Sequence, residues 1–320
     1  MDSSSAPNSN QRWAAPLGIA VVVAFGAATL LGFGGRLGWL LELASHFRVQ
    51  YFWALAGGAL ELAFCRRFRW ALAAAALAVV NLALIVPLYF GPAVSATGAV
   101  SRAMSINVNW RNEDYGRTLE LIRSERPDFV LLIEVTTGWA DALRALASEY
   151  PYSHVDPRDD SGGIALFSRI PIKNLRVKDA AGKKFQPIIA ELDLATGPLT
   201  LIGTHPVSPS SAMSFELRNR QLSDLARLAH EQQGAVMLLG DLNTTSWSPY
   251  FQDLLAESGL SDTRRGFGVL GSWPALWMPL RIPIDHCLIS QPVAVANRRT
   301  GPNVGSDHRA VIVDFALLGK

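Results

Sequence analysis

Cysteine is scarce in this sequence, and most of the chain lacks an excess of charge of either sign. Only two cysteines, Cys65 and Cys287, occur among 320 residues, and they lie in segments of very different composition, which excludes a disulfide-bonded scaffold. The first 91 residues hold six of the 29 basic and three of the 27 acidic residues, so residues 92–320 hold 23 and 24. A near-neutral domain lacks the basic surplus that usually supplies affinity for nucleic acid. With 49% hydrophobic residues, the chain is also too apolar to be disordered.

Long apolar runs crowd into the first ninety positions. Residues 14–33 and 70–90 are free of charged residues, and each is about long enough to cross the hydrocarbon core of a bilayer. A shorter run, 51–65, contains Glu61 and can be lengthened to residue 49. The pattern predicts an all-α membrane region over residues 1–91 with three transmembrane helices, at about 14–33, 49–65 and 70–90.

The flanking charges predict an orientation for these spans. The first run is too long for a cleaved signal peptide and is preceded by one basic residue, Arg12, which favours a signal anchor. The turn 66–69 is the densest basic cluster in a short loop, so the positive-inside rule places it and the N-terminus in the cytoplasm. Arg36 and Arg48 in the first loop count against this orientation. We expect a multi-pass protein of the plasma or inner membrane, with everything after Phe90 on the extracytoplasmic side.

Two polar residues interrupt the apolar runs, Glu61 and Asn81. One interpretation is a buried site within the membrane. The other is that Glu61 pairs with the nearby arginines and Asn81 bonds a neighbouring helix. We favour the second, because three short spans without a charged pathway do not resemble a transporter.

After a linker of small residues at 92–101, the pattern changes to that of an α/β domain over residues 102–320. The predicted strands are Ala103–Val108, Phe129–Ile133, Gly163–Phe167, Lys173–Val177, Pro187–Leu192, Leu199–Gly203, Val236–Leu239, Cys287–Ile289 and Ala310–Phe315. The predicted helices are Gly116–Ser124, Gly138–Ser148, Ser214–Glu231 and Pro249–Glu257. About 220 residues are enough for one large core.

Polar side chains cluster where the predicted strands end, as functional residues do in α/β folds. They are Asn107, Glu134, His205, Asp241, Asn243, Asp285, Asp307 and His308. Asp241 and Asn243 are two residues apart, so on an extended backbone both side chains point to one side. Glu134 follows a run of apolar residues, and a carboxylate at the end of a buried strand needs a partner or a metal.

Together these residue types suit one chemistry. Asparagine, glutamate and aspartate oxygens are ligands for a hard cation such as Mg²⁺ or Mn²⁺, and no cysteine–histidine spacing indicates zinc. A histidine held by an aspartate can protonate or orient a phosphate, and a metal beside it stabilises charge on a phosphoryl group. The set predicts metal-assisted hydrolysis of a phosphoester.

The ordered motifs resemble the endonuclease/exonuclease/phosphatase superfamily, which includes pancreatic-type DNases, apurinic endonucleases, neutral sphingomyelinases and inositol polyphosphate phosphatases. They are Asn107, Glu134, Thr204-His205, Gly240-Asp241-Leu242-Asn243, Ile284-Asp285-His286 and Gly305-Ser306-Asp307-His308, over about Arg102 to Leu317. With three preceding spans, the chain looks like a membrane-anchored bacterial branch of that group. The resemblance implies a four-layer α/β/β/α sandwich of the DNase type.

The resemblance also implies a role for each site residue. Glu134 would be the principal metal ligand, with Asn107 and Asp307 helping. Asp241 would position or deprotonate the attacking water, and Asn243 would hold a phosphoryl oxygen or the nucleophile. His308, oriented by Asp285, would contact the scissile phosphate, and His205 would bind another phosphate oxygen. Whether Asp241 or His308 is the base stays open, and Asn109 and Asn112 are alternatives for the first ligand.

Other residues near these motifs have two interpretations. His286 is expected to pack or to form a hydrogen bond beside Asp285. Four large apolar residues precede Asp285 and form either a lipid-facing rim over the site or part of the core: Trp247, Trp273, Trp277 and Met278.

The sequence therefore predicts a membrane-anchored, divalent-metal-dependent hydrolase of a phosphomonoester, pyrophosphate or phosphodiester. A lipid-linked substrate is favoured, because the spans tether the site near headgroups and the domain is near neutral. The first alternative is an extracytoplasmic nuclease, since nucleic acid is a possible partner. The second is a pseudoenzyme that binds a headgroup or partner without turnover. The oligomeric state is not predicted.

Overall fold

The computed structural model describes residues 9–91, 99–178 and 186–318, with side chains from residue 15 onward. The chain forms two compact units, Met1–Pro87 with Trp247–Pro249, and Leu88–Ser246 with Tyr250–Lys320. Of the predicted linker 92–101, residues 92–98 lie outside the described residues, and Ser101 already begins a strand. The domain boundaries of the sequence analysis stay a prediction.

The described part of the N-terminal unit contains four α-helices. They are α1 (Ser9–Leu31), α2 (Trp39–Leu43), α3 (Arg48–Phe64) and α4 (Phe68–Ile85). Small residues let α1 and α3 approach closely: a Cβ added at Gly18 would lie 3.0 Å from the Leu62 side chain. Asn81 donates from Nδ2 to Thr29 Oγ1 on α1 over 2.9 Å, which is the helix-to-helix bond that the sequence favoured.

Two segments of this part of the chain are long and apolar enough to cross a membrane, Ala15–Leu37 and Phe68–Tyr89. Helices of this kind serve as membrane spans, and one near the N-terminus also fits a signal sequence. The middle predicted span, 49–65, forms the 17-residue helix α3, which starts at the buried Arg48 and contains Glu61. Two candidate spans are therefore found where three were predicted, and the third stays a prediction.

In the residues of the second unit that the structure describes there are twelve strands, which form two six-stranded mixed sheets. The strands are β1 (Ser101–Asn107), β2 (Phe129–Ile133), β3 (Tyr152–Asp156), β4 (Ile164–Ser168), β5 (Ile172–Val177), β6 (Ile188–Leu194), β7 (Gly197–Thr204), β8 (Ala235–Asp241), β9 (Ser261–Asp262), β10 (Asp285–Ile289), β11 (Val293–Thr300) and β12 (Val311–Leu317). The first sheet has the order β11-β12-β1-β2-β4-β3 and the second β5-β6-β7-β8-β10-β9. Each contains one parallel pair, β1 with β2 and β7 with β8.

The strands bury apolar residues on both faces of each sheet, so the unit consists of stacked layers of sheets and helices. In β2, Phe129, Leu131 and Ile133 enter the core between the sheets, while Val130 and Leu132 face the other way. On that outer face pack α5 (Tyr115–Glu125) and α6 (Thr137–Leu143). The outer face of the second sheet is covered by α7 (Ala212–His230) and α8 (Pro249–Ser258). The predicted sandwich of two sheets is confirmed, with helices on each outer face.

Candidate active site

One half of the site is built where the parallel pair β1 and β2 ends. Asn107 is the last residue of β1, and Glu134 directly follows β2 with a left-handed φ of 64°. Asn107 donates from Nδ2 to Glu134 Oε1 over 2.9 Å and to Asp241 Oδ2 over 3.3 Å. The backbone N–H of Trp110 donates to the other Glu134 oxygen over 3.1 Å. The two side chains are therefore fixed against each other at the edge of the first sheet.

The other half is built where the second parallel pair, β7 and β8, ends. Asp241 closes β8 and is buried, and His205 directly follows β7. His205 Nε2 lies 3.6 Å from Asp241 Oδ2 and 3.8 Å from Glu134 Oε1. Parallel pairing puts the carboxyl ends of neighbouring strands at one edge, and the two sheets bring their edges together. The site thus joins residues that are more than a hundred positions apart in the chain.

Asn243 and His205 are held in a defined arrangement. His205 Nδ1 lies 3.2 Å from the Ser161 carbonyl, so Nδ1–H donates there and Nε2 accepts from Asn243 Nδ2 over 3.3 Å. The backbone N–H of Asn243 donates to Asp241 Oδ1 over 2.8 Å. The buried Arg218 donates to the Asn243 carbonyl over 2.7 Å. These bonds support the left-handed φ of 50° at Asn243.

Asp285 and His308 form a buried pair on the second sheet's side of the site. Asp285 opens β10 directly opposite Asp241 in the strand register, and its Oδ2 lies 2.9 Å from His308 Nδ1. The other imidazole nitrogen, Nε2, lies 3.7 Å from Asp241 Oδ2. Ser306 supports the loop, because its hydroxyl donates to the Asn107 carbonyl and accepts from the His308 N–H. Asp285 and Asp241 therefore flank the His308 ring at its two nitrogens.

Charge is concentrated in this buried group. Burial raises the pKa of Asp241 to about 6, and the neighbouring Asp285 carboxylate adds to the rise while His308 and His205 oppose it. Burial also disfavours charge on Asp285 and His308, but their ion pair outweighs it, so the pKa of Asp285 falls and that of His308 rises to about 10. One possible ligand atom from each of Asp241, Asp285 and His308 lies within 4.8 Å of the others.

Asp307, the third predicted metal ligand, is exposed at the outer edge of the site. Its Oδ1 accepts from Asn109 Nδ2 over 2.8 Å and its Oδ2 from Trp273 Nε1 over 3.1 Å. Asn109 connects it to the centre, because the Asn109 N–H donates to Asn107 Oδ1 over 3.0 Å. Asn112, the other alternative ligand, uses its side chain within its own loop, donating to the Val108 carbonyl. The structure thus groups Asn107, Glu134 and Asp241, with Asp307 beside them.

The structure shows where His286 and the four large apolar residues that precede Asp285 lie. His286 is buried, donates from Nε2 to the Thr244 carbonyl over 2.8 Å and lies against Phe251. Trp247 belongs to the N-terminal unit, where its Nε1 donates to the Leu84 carbonyl. Trp273 is half-buried beside Asp307, whereas Trp277 and Met278 are exposed.

Several supporting residues were missed by the sequence reasoning. They are Ser161 under His205, Arg218 under Asn243, and Ser272, whose hydroxyl accepts from the Asp285 N–H over 3.2 Å. None of these three carries a local signal, because each acts only through a contact between distant segments. Ser306 stood within the quoted motif at 305–308, but its hydrogen bonds were not predicted.

Comparison with known proteins supports this description of the fold. The model of the Endonuclease/Exonuclease/phosphatase family matches residues 104–308, a range that includes all eight predicted site residues. No curated protein matches the sequence significantly.

Solved structures share the fold at low sequence identity. The endonuclease/exonuclease/phosphatase from Beutenbergia cavernae is 21% identical, with a TM-score of 0.55 over 69% of this chain and 72% of that one. D. rerio TDP2, solved with a single-strand DNA product, is 18% identical, with a TM-score of 0.56 over 68% of this chain and 99% of that one. Sphingomyelinase C from Streptomyces griseocarneus is 20% identical, with a TM-score of 0.50 over 68% and 99%.

Proposed function

This chain belongs to the endonuclease/exonuclease/phosphatase family, whose members hydrolyse phosphoester bonds, and from that premise we propose that it is a divalent-metal-dependent hydrolase of a membrane-held phosphoester. The observation that carries the proposal is the meeting of Asn107, Glu134 and Asp241 from two different sheets, joined by hydrogen bonds of 2.9 and 3.3 Å. Carboxylates and amides are buried together in this way where they serve a ligand or a reaction.

Glu134, Asn107 and Asp307 are the residues that would hold the metal. Their donors are carboxylate and amide oxygens, which fit Mg²⁺ or Mn²⁺ better than a soft ion. The Glu134 side chain keeps 14% of its surface exposed, so its carboxylate stays open to the site. When bound, the ion would supply Lewis-acid stabilisation of the charge on the phosphoryl oxygens.

The chain's own residues would then handle the proton and the phosphate. Asp241 Oδ1 is occupied by the Asn243 N–H, while Oδ2 faces His308 and His205, so we assign the Asp241 carboxylate to accept the proton of the attacking water. His308 has its Nδ1 engaged by Asp285, which leaves Nε2 to donate to a phosphoryl oxygen. Asn243 and His205 are bonded to each other over 3.3 Å, and they would exchange that bond for the remaining phosphate oxygens, with His205 protonated at Nε2.

Two features favour a lipid-linked substrate over nucleic acid. The chain carries two candidate membrane spans, which would keep the site near lipid headgroups. Residues 92–320 hold about as many acidic as basic residues, whereas a nuclease that follows a polyanion usually has a basic groove. We propose an extracytoplasmic location on the charge pattern of the loops around the spans.

The test uses the purified full chain in detergent with Mg²⁺. Release of phosphate or headgroup is followed from a polyprenyl pyrophosphate and from phosphodiester lipids, with nicking of supercoiled DNA measured in parallel. We expect lipid phosphoester turnover that EDTA abolishes and that Asp241→Ala reduces to background.

Asp193→Asn is the matched control, because the Asp193 carboxylate is half-exposed and paired with Lys173 on β5, so its loss should leave the activity unchanged. DNA nicking without lipid turnover would replace the lipid substrate by nucleic acid. Binding of the lipids without turnover of any ester would reject the hydrolase and leave the pseudoenzyme.

A further inference from the structure

An exposed apolar loop projects from the catalytic unit beside the site. Its tip, residues 276–280, presents Leu276, Trp277 and Met278 with 78%, 66% and 72% of their surfaces exposed, followed by Leu280 at 48%. We call residues 274–281 the apolar finger. Monomeric proteins rarely expose several large apolar side chains together unless the patch contacts a partner or a membrane.

Hydrogen bonds fix the base of the apolar finger and hold its tip in an exposed position. Trp273 and Ile282 form an antiparallel bridge. The Trp273 N–H donates to the Ile282 carbonyl over 3.1 Å, and the Ile282 N–H donates to the Trp273 carbonyl over 2.6 Å. Arg281 donates from its guanidinium to the carbonyls of Pro274 and Ala275. Because these bonds close the loop at its base, the tip cannot bury its apolar surface by a small side-chain movement.

The same base contacts the site directly. Trp273 Nε1 donates to Asp307 Oδ2, and the Ala275 N–H donates to the Asp307 carbonyl over 2.7 Å. Ser272 directly precedes Trp273 in the chain, and its hydroxyl accepts from the Asp285 N–H. Whatever the tip contacts will therefore lie next to the outer edge of the site, where Asp307 is exposed.

The end of a candidate membrane span reaches the loop that leads into the finger. Within the catalytic unit, the Leu88 carbonyl accepts from the N–H groups of Gly266 and Gly268, each over 2.9 Å. Tyr89 packs so closely on Gly268 that an added Cβ there would lie 2.8 Å from its ring. Leu88 and Tyr89 are the last residues of the candidate span Phe68–Tyr89, so the end of that span is fixed to the segment that precedes the finger.

The charges around the base also fit a membrane surface. Arg281 closes the finger and Arg309 donates to the nearby Gly301 carbonyl, while burial and repulsion from Arg309 lower the pKa of Arg281. The tip itself contains no acidic residue. An apolar tip flanked by arginines is the composition of segments that enter the interface of anionic bilayers.

We propose that the apolar finger inserts its tip into the lipid–water interface and holds the opening of the site against phosphoesters in the membrane. This inference rests on the proposed function, because a membrane-held phosphoester is the substrate that such an arrangement would serve. The occupant is the bilayer itself, and the finger is a positioning element that does not touch the reacting atoms.

Insertion is tested without any activity measurement. In the full chain with Cys65→Ala, Trp277→Cys carries an environment-sensitive fluorophore, and the protein is reconstituted in phosphatidylcholine vesicles with phosphatidylglycerol and nitroxide-labelled lipid. Cys287 is buried and should not react. The matched control is Tyr152→Cys, because Tyr152 is an exposed aromatic at the end of β3 opposite to the site.

We expect the lipid nitroxide to quench the label at 277 and to leave the label at 152 unquenched. Equal quenching at the two positions would overturn the inference. So would a label at 277 that the lipid nitroxide does not quench and that is also shielded from a water-soluble quencher, because that result indicates a second copy or a protein segment on the tip.

Activity then separates this inference from the proposed function. Trp277→Ser with Met278→Ser should lower turnover of a vesicle-held ester roughly tenfold, as expected for about 1.4 kcal/mol of lost apolar transfer, and leave turnover of a soluble short-chain ester unchanged. Equal loss on both esters would contradict the finger's role. Failure of the native chain on both esters would instead reject the proposed function, while the quenching result would still decide whether the tip inserts.

Discussion

At the scale of single residues, the pair of Asp285 and His308 determines what the site can do with a proton. The 2.9 Å contact fixes Nδ1 of His308 and directs Nε2 toward Asp241. A carboxylate in this position both orients the ring and stabilises its positive charge. Asp285 thus acts on the substrate through His308.

We expect Asp285→Asn to lower kcat roughly 10²- to 10⁴-fold, the range that a positioned acid or base contributes. The amide keeps the size of the side chain and can still accept from Nδ1–H, but it no longer stabilises the charged ring. The measurement is kcat with the lipid phosphoester at saturation. Asp193→Asn is the control for removing a carboxylate, and native kcat in Asp285→Asn would contradict the assigned role.

At the scale of elements, the geometry of the site depends on the close spacing of the parallel strands β7 and β8. Thr204 and Gly240 are register partners in this parallel pair, and a Cβ at Gly240 would lie 1.9 Å from the Thr204 carbonyl oxygen. Gly240 also has a φ of 147°. The glycine therefore sets the distance between His205 and Asp241, which directly follow Thr204 and Gly240 in the chain.

Gly240→Ala should destabilise the protein by about 1–3 kcal/mol or more and also lower kcat, because the strands must separate at the site. Urea unfolding and kcat measured on the same preparation check both effects. Gly116→Ala is the control, since a Cβ at Gly116 on α5 meets nothing within 4 Å and should cost no stability. Native stability of Gly240→Ala would show that the strands can relax around the added carbon.

Elements of the catalytic unit were predictable where both sheet faces are apolar, and less so at the sheet edges. Phe129–Ile133 was predicted with its observed bounds because every residue is apolar and buried. The edge strands Tyr152–Asp156 and Val293–Thr300 were missed, because polar and basic residues interrupt their apolar pattern where one side of the strand has no partner. The two-residue strand Ser261–Asp262 is too short to produce a pattern.

At the scale of the whole molecule, the sequence predicted which residues belong to the site better than how they meet. Motif order pointed to Glu134 and Asp241, but their approach through Asn107 depends on two sheets packing face to face. Asp307 was predicted among the ligands and lies at the edge, held by Trp273, because the finger's base forms its own contact there. The number of membrane spans was harder still, since hydropathy alone does not decide whether a helix of the length of α3 is a short span or a helix buried beside others.

A buried network next to the site makes whole-molecule stability depend on pH. Asp262 is held by Arg264 and Arg298, and Arg264 also donates to His286 Nδ1 over 3.1 Å. Burial and the nearby Arg264 lower the pKa of His286 to about 3, so the folded protein keeps this ring neutral. Burial opposes ionisation of Asp262, but the arginines outweigh it and its pKa is lowered.

The sign of the effect follows from these shifts. A group whose pKa is lowered on folding stabilises the folded state above its unfolded pKa, and that stabilisation is lost as the pH falls. For His286 the loss runs from about pH 6.5 down to its folded pKa of about 3, with a slope of about 1.4 kcal/mol per pH unit. For Asp262 it begins below about pH 4, the usual range of an aspartate.

His286→Gln isolates the histidine, because glutamine can accept from Arg264 and donate to Thr244 without titrating. The free energy of unfolding of the detergent-solubilised full chain is measured in urea between pH 7 and pH 4, and we expect the variant's slope to differ from the native slope by about 1.4 kcal/mol per pH unit. His230→Gln, at an exposed position, is the control for replacing a histidine by glutamine. If His286→Gln keeps the native slope, the folded protein must take up the proton on His286 over the same pH range as the unfolded chain does. The Arg264 contact to Nδ1 would then be repulsive, and the network could not have the hydrogen bonds seen in the structure.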